Sequence, residues 1–449
     1  MWYTKTPGLS PSTKIPSAGG PSLGSSIPAG ITDRVGVRPW AIENVLPVMC
    51  VADGRAGFFT RPAFLGVLAG AAAPFLAGAA GVEAIAAQER VSSVPLPEPV
   101  RPLSRGNAIA AGLARGSSLV QATYSRVEAL ASSIPDGALR GSMLELLRRP
   151  APLYAERHPT PPARLAVRDA LAQAGFVAPE TPVRGIFPPG TEPQAATAVQ
   201  PFWAAPGSSD GSHHAYPGGL AVHESFNASM AREFAATYDA HYFGGRPTVA
   251  LGTVIAAALY HDIMKTVVFG WNDDGTLFDE ITIAGTGAHH VLSGAEAIAR
   301  AADPHFVTTL LSAHAAPSLG DETKVVAWCR AAAIVARIDP VAYGLVRRQG
   351  ADYVLAADPV PLEAFVNYLS DHDYVVSVHA MRVVSARLQQ RWARVAGLTT
   401  LAPTFAWYRA MVLSRTTAIA LYDALARRGA DAFDAALVRA ESQLTPLRT

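Results

Sequence analysis

An adjacent histidine and aspartate, His261 and Asp262, follow the apolar run Ala256-Ala257-Ala258-Leu259-Tyr260, with Lys265 one turn further on. Polar groups in so apolar a stretch cost free energy unless they are paired or bound to a cation. Neighbouring side chains on a helix point about 100° apart, so the two do not face one partner directly. Both can reach one ion that lies beyond the turn. The imidazole offers a neutral nitrogen, and the carboxylate offers a charged oxygen able to bridge two ions. Alone, such a dipeptide is a weak signal.

Its company is more specific. Most of the twelve histidines fall between residues 213 and 314. Upstream stands His213-His214-Ala215-Tyr216-Pro217-Gly218-Gly219-Leu220-Ala221-Val222-His223-Glu224. Downstream come His289-His290-Val291-Leu292-Ser293-Gly294, then Leu310-Leu311-Ser312-Ala313-His314, then Arg337-Ile338-Asp339. In this order the motifs resemble the HD superfamily of metal-dependent phosphohydrolases, and the Tyr-Pro-Gly-Gly-Leu-x-x-His segment looks like the start of its phosphodiesterase and exoribonuclease-like members. The resemblance covers roughly residues 200 to 345.

The resemblance implies a metal-ligand set of His223, His261, Asp262, His290, His314 and Asp339. Asp262 would be the bridging carboxylate, and His290 would open a His-x-x-x-Gly motif that ends at Gly294. His290 and His314 are the additional histidines of the binuclear members, which points to two ions. A mixed N/O set suits Mn, Fe, Co, Ni or Zn without choosing among them. Met264 stands where many relatives have Gly, and Ala313 where a histidine is common. The absence of a Gly-Tyr-Pro loop after His314 disfavours the cyclic-di-GMP-specific subgroup.

The chemistry so implied is attack by a metal-activated water on a phosphomonoester or phosphodiester, in a nucleotide-like or other small phosphorylated substrate. Asp262 and Lys265 are the expected catalytic residues, with Lys265 neutralising phosphate charge or orienting the nucleophile. His213, His214, Lys265 and Arg337 are candidate substrate contacts. Against these stand blander readings: a loop-capping role for His213 and His214, a solvated Lys265, and a surface ion pair for Arg337. His289 reads as a surface or supporting residue beside a ligand. Asp371-His372-Asp373 reads as a polar helix face. The turn Trp271-Asn272-Asp273-Asp274-Gly275 could form a lid over the site. Two other classes stay open: a di-iron oxygenase built on the same ligand set, and a binding module without turnover.

The elements that must position these residues are helical. Half of the 449 residues are hydrophobic and only 16% are charged. Ala and Leu dominate, and few segments alternate with period two. The expected fold is all-α: an HD-type helical bundle with an irregular Pro/Gly-rich N-terminal wrap and C-terminal helices. Helices are expected at 108–149, near 162–174, and at 219–240, 248–268, 289–302, 304–314, 323–348, 360–395 and 403–428. Five regions are expected: 1–57 a disordered extension, 58–88 an export signal or membrane anchor, 89–199 a linker with accessory helices, 200–395 the hydrolase domain, and 396–449 C-terminal packing helices.

Residues 58–88 carry an arginine, an uncharged stretch from Ala63 to Val82 and the small-residue exit Ala84-Ile85-Ala86. That is the anatomy of an export signal. It implies a periplasmic or membrane-anchored protein with a start site downstream of residue 1, or a cytoplasmic one if the segment is a buried helix. A formal net charge of +1 argues against a broad basic surface for DNA. A small phosphorylated substrate and a homodimer contact through the C-terminal helix are the expected partners. Cys50 and Cys329 are too few for a cysteine-rich zinc site.

Overall fold

A computed structural model describes residues 94–99, 103–150, 152–191, 199–395 and 397–447. The segment 58–88, with its expected export signal, and the N-terminal extension lie outside the described residues. The described chain is predominantly helical. It begins with α1 (Arg105–Arg115), α2 (Ser118–Ser132), α3 (Gly137–Arg148), the single turn α4 (Leu153–Glu156), α5 (Pro161–Gln173) and the single turn α6 (Val183–Ile186). The central helices are α7 (Gly219–Tyr242), α8 (Leu251–Tyr260), the short α9 (Lys265–Val268), α10 (Ala288–Ala299), α11 (Pro304–Leu311), α12 (Glu322–Ala336) and α13 (Leu362–Ser370). The last are α14 (Tyr374–Arg394), α15 (Leu398–Leu401), α16 (Phe405–Leu413), α17 (Ala418–Arg428) and α18 (Ala430–Glu441). Two antiparallel ribbons interrupt the helices: β1 (Thr282–Ile283) with β2 (Thr286–Gly287), and β3 (Val346–Gln349) with β4 (Asp352–Leu355).

Helix starts follow local capping chemistry. Ser117, Asp136, Thr160, Thr404 and Thr417 each accept a hydrogen bond from a backbone N–H of the first turn that would otherwise lack a partner. Helix α8 is apolar all round, and every residue from Val254 to Tyr260 is buried. Such a helix must sit in the middle of its neighbours. It packs against α7, α11 and α13. The stretch Leu251–Val268 is long and apolar enough to cross a membrane by composition, yet 83% of it is buried inside the protein. The tetrad His261-Asp262-Ile263-Met264 forms the turn between α8 and α9, so the polar dipeptide follows directly on the buried run Val254–Tyr260.

One continuous core joins α2, α3, α4 and α5 to α7–α13. The segment before α5 is strapped down by polar ties. Arg157 donates to the carbonyls of Ala336 and Ala299 at 2.9 and 3.0 Å, and His158 Nε2 donates to Val335 at 2.6 Å. The buried Glu296 of α10 accepts from the Tyr154 amide at 2.9 Å and from Arg300 at 2.8 Å. A second core gathers α14 and α16–α18 around Trp407, Tyr408, Met411, Phe433 and Leu437. Each fully buried side chain of this size contributes roughly 1.5–3 kcal/mol. Arg391 closes this layer with a two-pronged pair to Glu441, which also accepts from Tyr408 at 2.5 Å.

Several expectations on the chain's course change, and the helices expected over 248–268 and 403–428 each break in two, at 261–264 and at 414–417. The helix expected over 323–348 stops at Ala336, because Arg337 turns left-handed (φ 56°) and Asp339 precedes a proline, a position that disfavours helix. The residues beyond it form the β3–β4 hairpin, with Gly350 at positive φ in its turn. The helix expected over 360–395 breaks into α13 and α14 at Asp371-His372-Asp373. The turn expected as a lid is instead pinned to the C-terminal layer. Trp271 is buried and stacks on Trp407 at 5.5 Å, and Trp407 Nε1 donates to the Asp273 carbonyl at 2.9 Å.

Candidate metal centre

Seven helix ends and turns converge on one buried cluster. The turn before α7 brings His213 and His214. The first turns of α7 bring His223 and Glu224. The end of α8 brings His261 and Asp262, and α9 brings Lys265. The start of α10 brings His289, the residues after α11 bring His314, and the break between α13 and α14 brings Asp371 and Asp373. The Gly-Gly pair makes this convergence possible. Gly218 sits at φ +85°, and a Cβ there would lie 2.4 Å from Val120 Cγ2. A Cβ on Gly219 would lie 1.9 Å from the His214 carbonyl oxygen, so only glycine lets the His213-His214 turn fold back over the helix start.

Asp262 and Asp371 organise the cluster. Asp262 Oδ2 lies 3.2 Å from His223 Nε2 and 3.4 Å from His261 Nε2. Asp371 Oδ1 lies 3.2 and 3.4 Å from the same two nitrogens. The other oxygens face the opposite way. Asp262 Oδ1 is 3.0 Å from His289 Nε2 and 3.8 Å from His314 Nε2, and Asp371 Oδ2 is 3.5 Å from His314 Nε2. Four ligand atoms set tetrahedrally about 2.0–2.2 Å from one ion stand roughly 3.3–3.6 Å apart. The four N···O spacings around His223, His261, Asp262 and Asp371 match that edge closely. The second group, Asp262, His289, His314 and Asp371, is somewhat more open.

Supporting hydrogen bonds fix which nitrogen each ring presents. Glu280 accepts from both the backbone and Nδ1 of His289, at 2.8 and 2.5 Å, which turns Nε2 inward. His261 Nδ1 donates to the Ala258 carbonyl at 2.8 Å. Asn227 donates to Asp371 Oδ1 at 2.9 Å. The inward atoms face one another and, at Asp262 Oδ2, the Lys265 ammonium. His261 Nε2, His289 Nε2 and both Asp262 oxygens are buried and make no hydrogen bond of ordinary geometry. Buried polar atoms normally have partners, so this concentration of exceptions calls for an explanation. A bound cation supplies one.

The electrostatics agree. Burial opposes charge on His223, and so does Lys265, yet Asp262 and Asp371 carry its pKa up to about 9. Burial is overcome in the same way at His261, where Asp262, Glu224 and Asp371 raise the pKa to about 10. Both aspartates are held well below the usual carboxylate range against the cost of burial, with His261 foremost among the causes. Lys265 is buried, ion-pairs with Asp262 Oδ2 and donates to the Gly207 carbonyl at 2.5 Å. Protons on imidazoles and one ammonium therefore balance the carboxylates, in positions where a metal would replace protons. Burial pushes Glu224 up to about 7; its carboxylate lies 3.5 Å from His261 Nδ1.

Of the ligands expected from sequence, His223, His261, Asp262 and His314 meet here. His290 and Asp339 do not. His290 Nε2 donates to the Leu311 carbonyl at 3.1 Å, and its ring stacks on His314 at 3.9 Å, so it buttresses that ring while His289 faces Asp262. Asp339 is exposed and accepts from the amides of Val341 and Ala342 at 2.7 and 2.9 Å, as a turn cap before Pro340. Arg337 is exposed at the left-handed end of α12 and enters no contact with the cluster. Asp371 takes the place expected for Asp339. The helix break at Asp371-His372-Asp373 was the available signal, because three polar residues interrupt an otherwise continuous helical pattern. Set against known proteins, the chain matches no family model, no curated protein and no solved structure.

Proposed function

We propose that this chain is a metal-dependent hydrolase of the HD type, acting on a phosphomonoester or phosphodiester in a small substrate. One observation carries the reading: Asp262 and Asp371 each direct one oxygen to the His223–His261 pair and the other towards His314, with Asp262 also reaching His289. Two carboxylates that bridge two imidazole pairs form the donor set of a binuclear centre. Two divalent transition ions held there (Mn, Fe, Co, Ni or Zn) would polarise phosphate oxygens and supply hydroxide near neutral pH.

The protein's own groups have definite tasks. Asp262 and Asp371 space the two donor groups. Glu280 and the Ala258 carbonyl hold His289 and His261 in the orientation that keeps Nε2 available. Lys265 holds Asp262 from the side and adds a positive charge beside the place an anion would occupy. His213 and His214 wall the same space from the turn before α7, with ring centroids 5.1 and 5.4 Å from His223. Burial keeps bulk water out and strengthens each of these interactions.

The test is hydrolysis of bis-para-nitrophenyl phosphate and para-nitrophenyl phosphate by the full chain loaded with Mn, Co or Zn. Turnover that requires the metal and disappears in Asp262→Asn supports the proposal. Oxygen consumption by the iron-loaded chain without phosphoester hydrolysis would replace it with the oxygenase reading.

A further inference from the structure

The cluster does not end at the carboxylate-bridged groups. A ring nitrogen from each of His213, His214 and His223 lies within 4.8 Å of the other two. His213 Nδ1 and His214 Nδ1 face each other at 3.2 Å, a spacing that two ligands of one ion adopt. The other nitrogen of His214, Nε2, lies 3.6 Å from Asp373 Oδ2. A carboxylate behind a histidine fixes its tautomer and leaves the opposite nitrogen as a lone-pair donor, the usual support of a metal-binding imidazole. His214 and His223 are buried, and His223 Nδ1 makes no hydrogen bond. The Gly218-Gly219 turn holds the His213-His214 pair against α7.

From this arrangement we infer that His213, His214 and His223 form a further divalent-cation site, made of histidines alone and adjoining the carboxylate-bridged pair. Three imidazoles without a carboxylate select a borderline ion such as Zn, Co or Ni over Mg or Ca. Three protein ligands also leave a fourth position open for water or an anionic oxygen. His223 is common to both sites; a neutral imidazole offers one lone pair, so it serves one ion at a time unless it gives up its N–H proton and bridges the two as an imidazolate, and filling one site therefore bears on the other. The inference does not depend on hydrolysis.

Removing the carboxylate ligands isolates this site. The full-length Asp262→Asn/Asp371→Asn variant is expected to retain one Co(II) per chain in equilibrium dialysis, with the visible absorption of a low-coordinate nitrogen site. Adding His213→Ala and His214→Ala should abolish it. Retention of cobalt after the histidine changes, or none before them in a variant folded by circular dichroism, overturns the inference. If those variants fail to fold, anomalous scattering from cobalt-loaded crystals of the parent protein decides. A peak among the three rings supports the site. A peak only between Asp262 and Asp371 refutes it and leaves the proposed function standing. A peak only among the three histidines supports the site and removes the binuclear reading.

Discussion

Asp371 Oδ1 lies 3.2 Å from His223 Nε2, although one residue stands at a break between two late helices and the other at the start of α7. The pairing makes Asp371 a metal-ligand candidate and releases Asp339 from that role. Asp371→Asn should cost the chain its carboxylate-bridged ions and at least a hundredfold in hydrolysis, in line with the loss of a positioned catalytic group. Asp339→Asn should leave both within about twofold, since an exposed turn cap is worth about 1 kcal/mol of stability and touches no ligand. Elemental analysis and rates on the two variants, side by side, check this. Equal losses would restore Asp339 to the centre.

The adjacent histidines of α10 divide their work in the same way. His289→Ala should remove one ion of the bridged pair while the fold persists. His290→Leu should keep the ion count and cost about 1–3 kcal/mol, because the buried Leu311 carbonyl loses its donor. Metal stoichiometry and urea unfolding on both variants separate the roles. An ion lost from the His290 variant alone would reverse the assignment.

Lys265 carries a prediction about the metal-free state. With Lys265→Met, Asp262 loses its buried ammonium partner, and removing one half of a buried pair costs about 3–5 kcal/mol. That loss should be largest in EDTA and should shrink when zinc is added, since the cation then supplies the missing charge. Thermal unfolding under the two conditions reads the difference. A penalty of the same size in both would mean that no cation reaches Asp262.

His158 gives a pH dependence away from the centre. Burial lowers its pKa, only partly offset by the bond to Val335, and Arg337, Arg164 and Arg157 lower it further. A folded pKa below the unfolded value of about 6.5 means that its stabilisation is present above that pH and lost as pH falls through the window beneath it. The stability advantage of the parent over His158→Gln should therefore narrow between pH 7.5 and 5. An advantage that widens on acidification would contradict the assignment.

The helical character was legible from the sequence because α7, α8 and α10 bury broad apolar faces, and periodicity records burial directly. The His261-Asp262 pair was legible for a related reason: polar residues at the end of a wholly apolar helix need a partner. Asp371-His372-Asp373 stood out as a polar cluster but reads locally as a helix face, because the return of Asp371 to α7 is a long-range pairing that the local pattern does not record. His289 and His290 could not be ranked by type or spacing. What separates them is the Glu280 carboxylate behind one ring and the Leu311 carbonyl in front of the other. Asp339 misled because an aspartate before proline looks the same in sequence whether it caps a turn or binds a metal.

The most direct measurement is metal content of the full-length protein and of Asp262→Ala, each assayed on bis-para-nitrophenyl phosphate. Two transition ions per chain that depend on Asp262, together with metal-dependent hydrolysis, are expected in the parent protein, and the loss of both in the variant. Turnover that survives the substitution, an ion count unchanged by it, or a parent protein that takes up no metal after reloading would contradict that expectation.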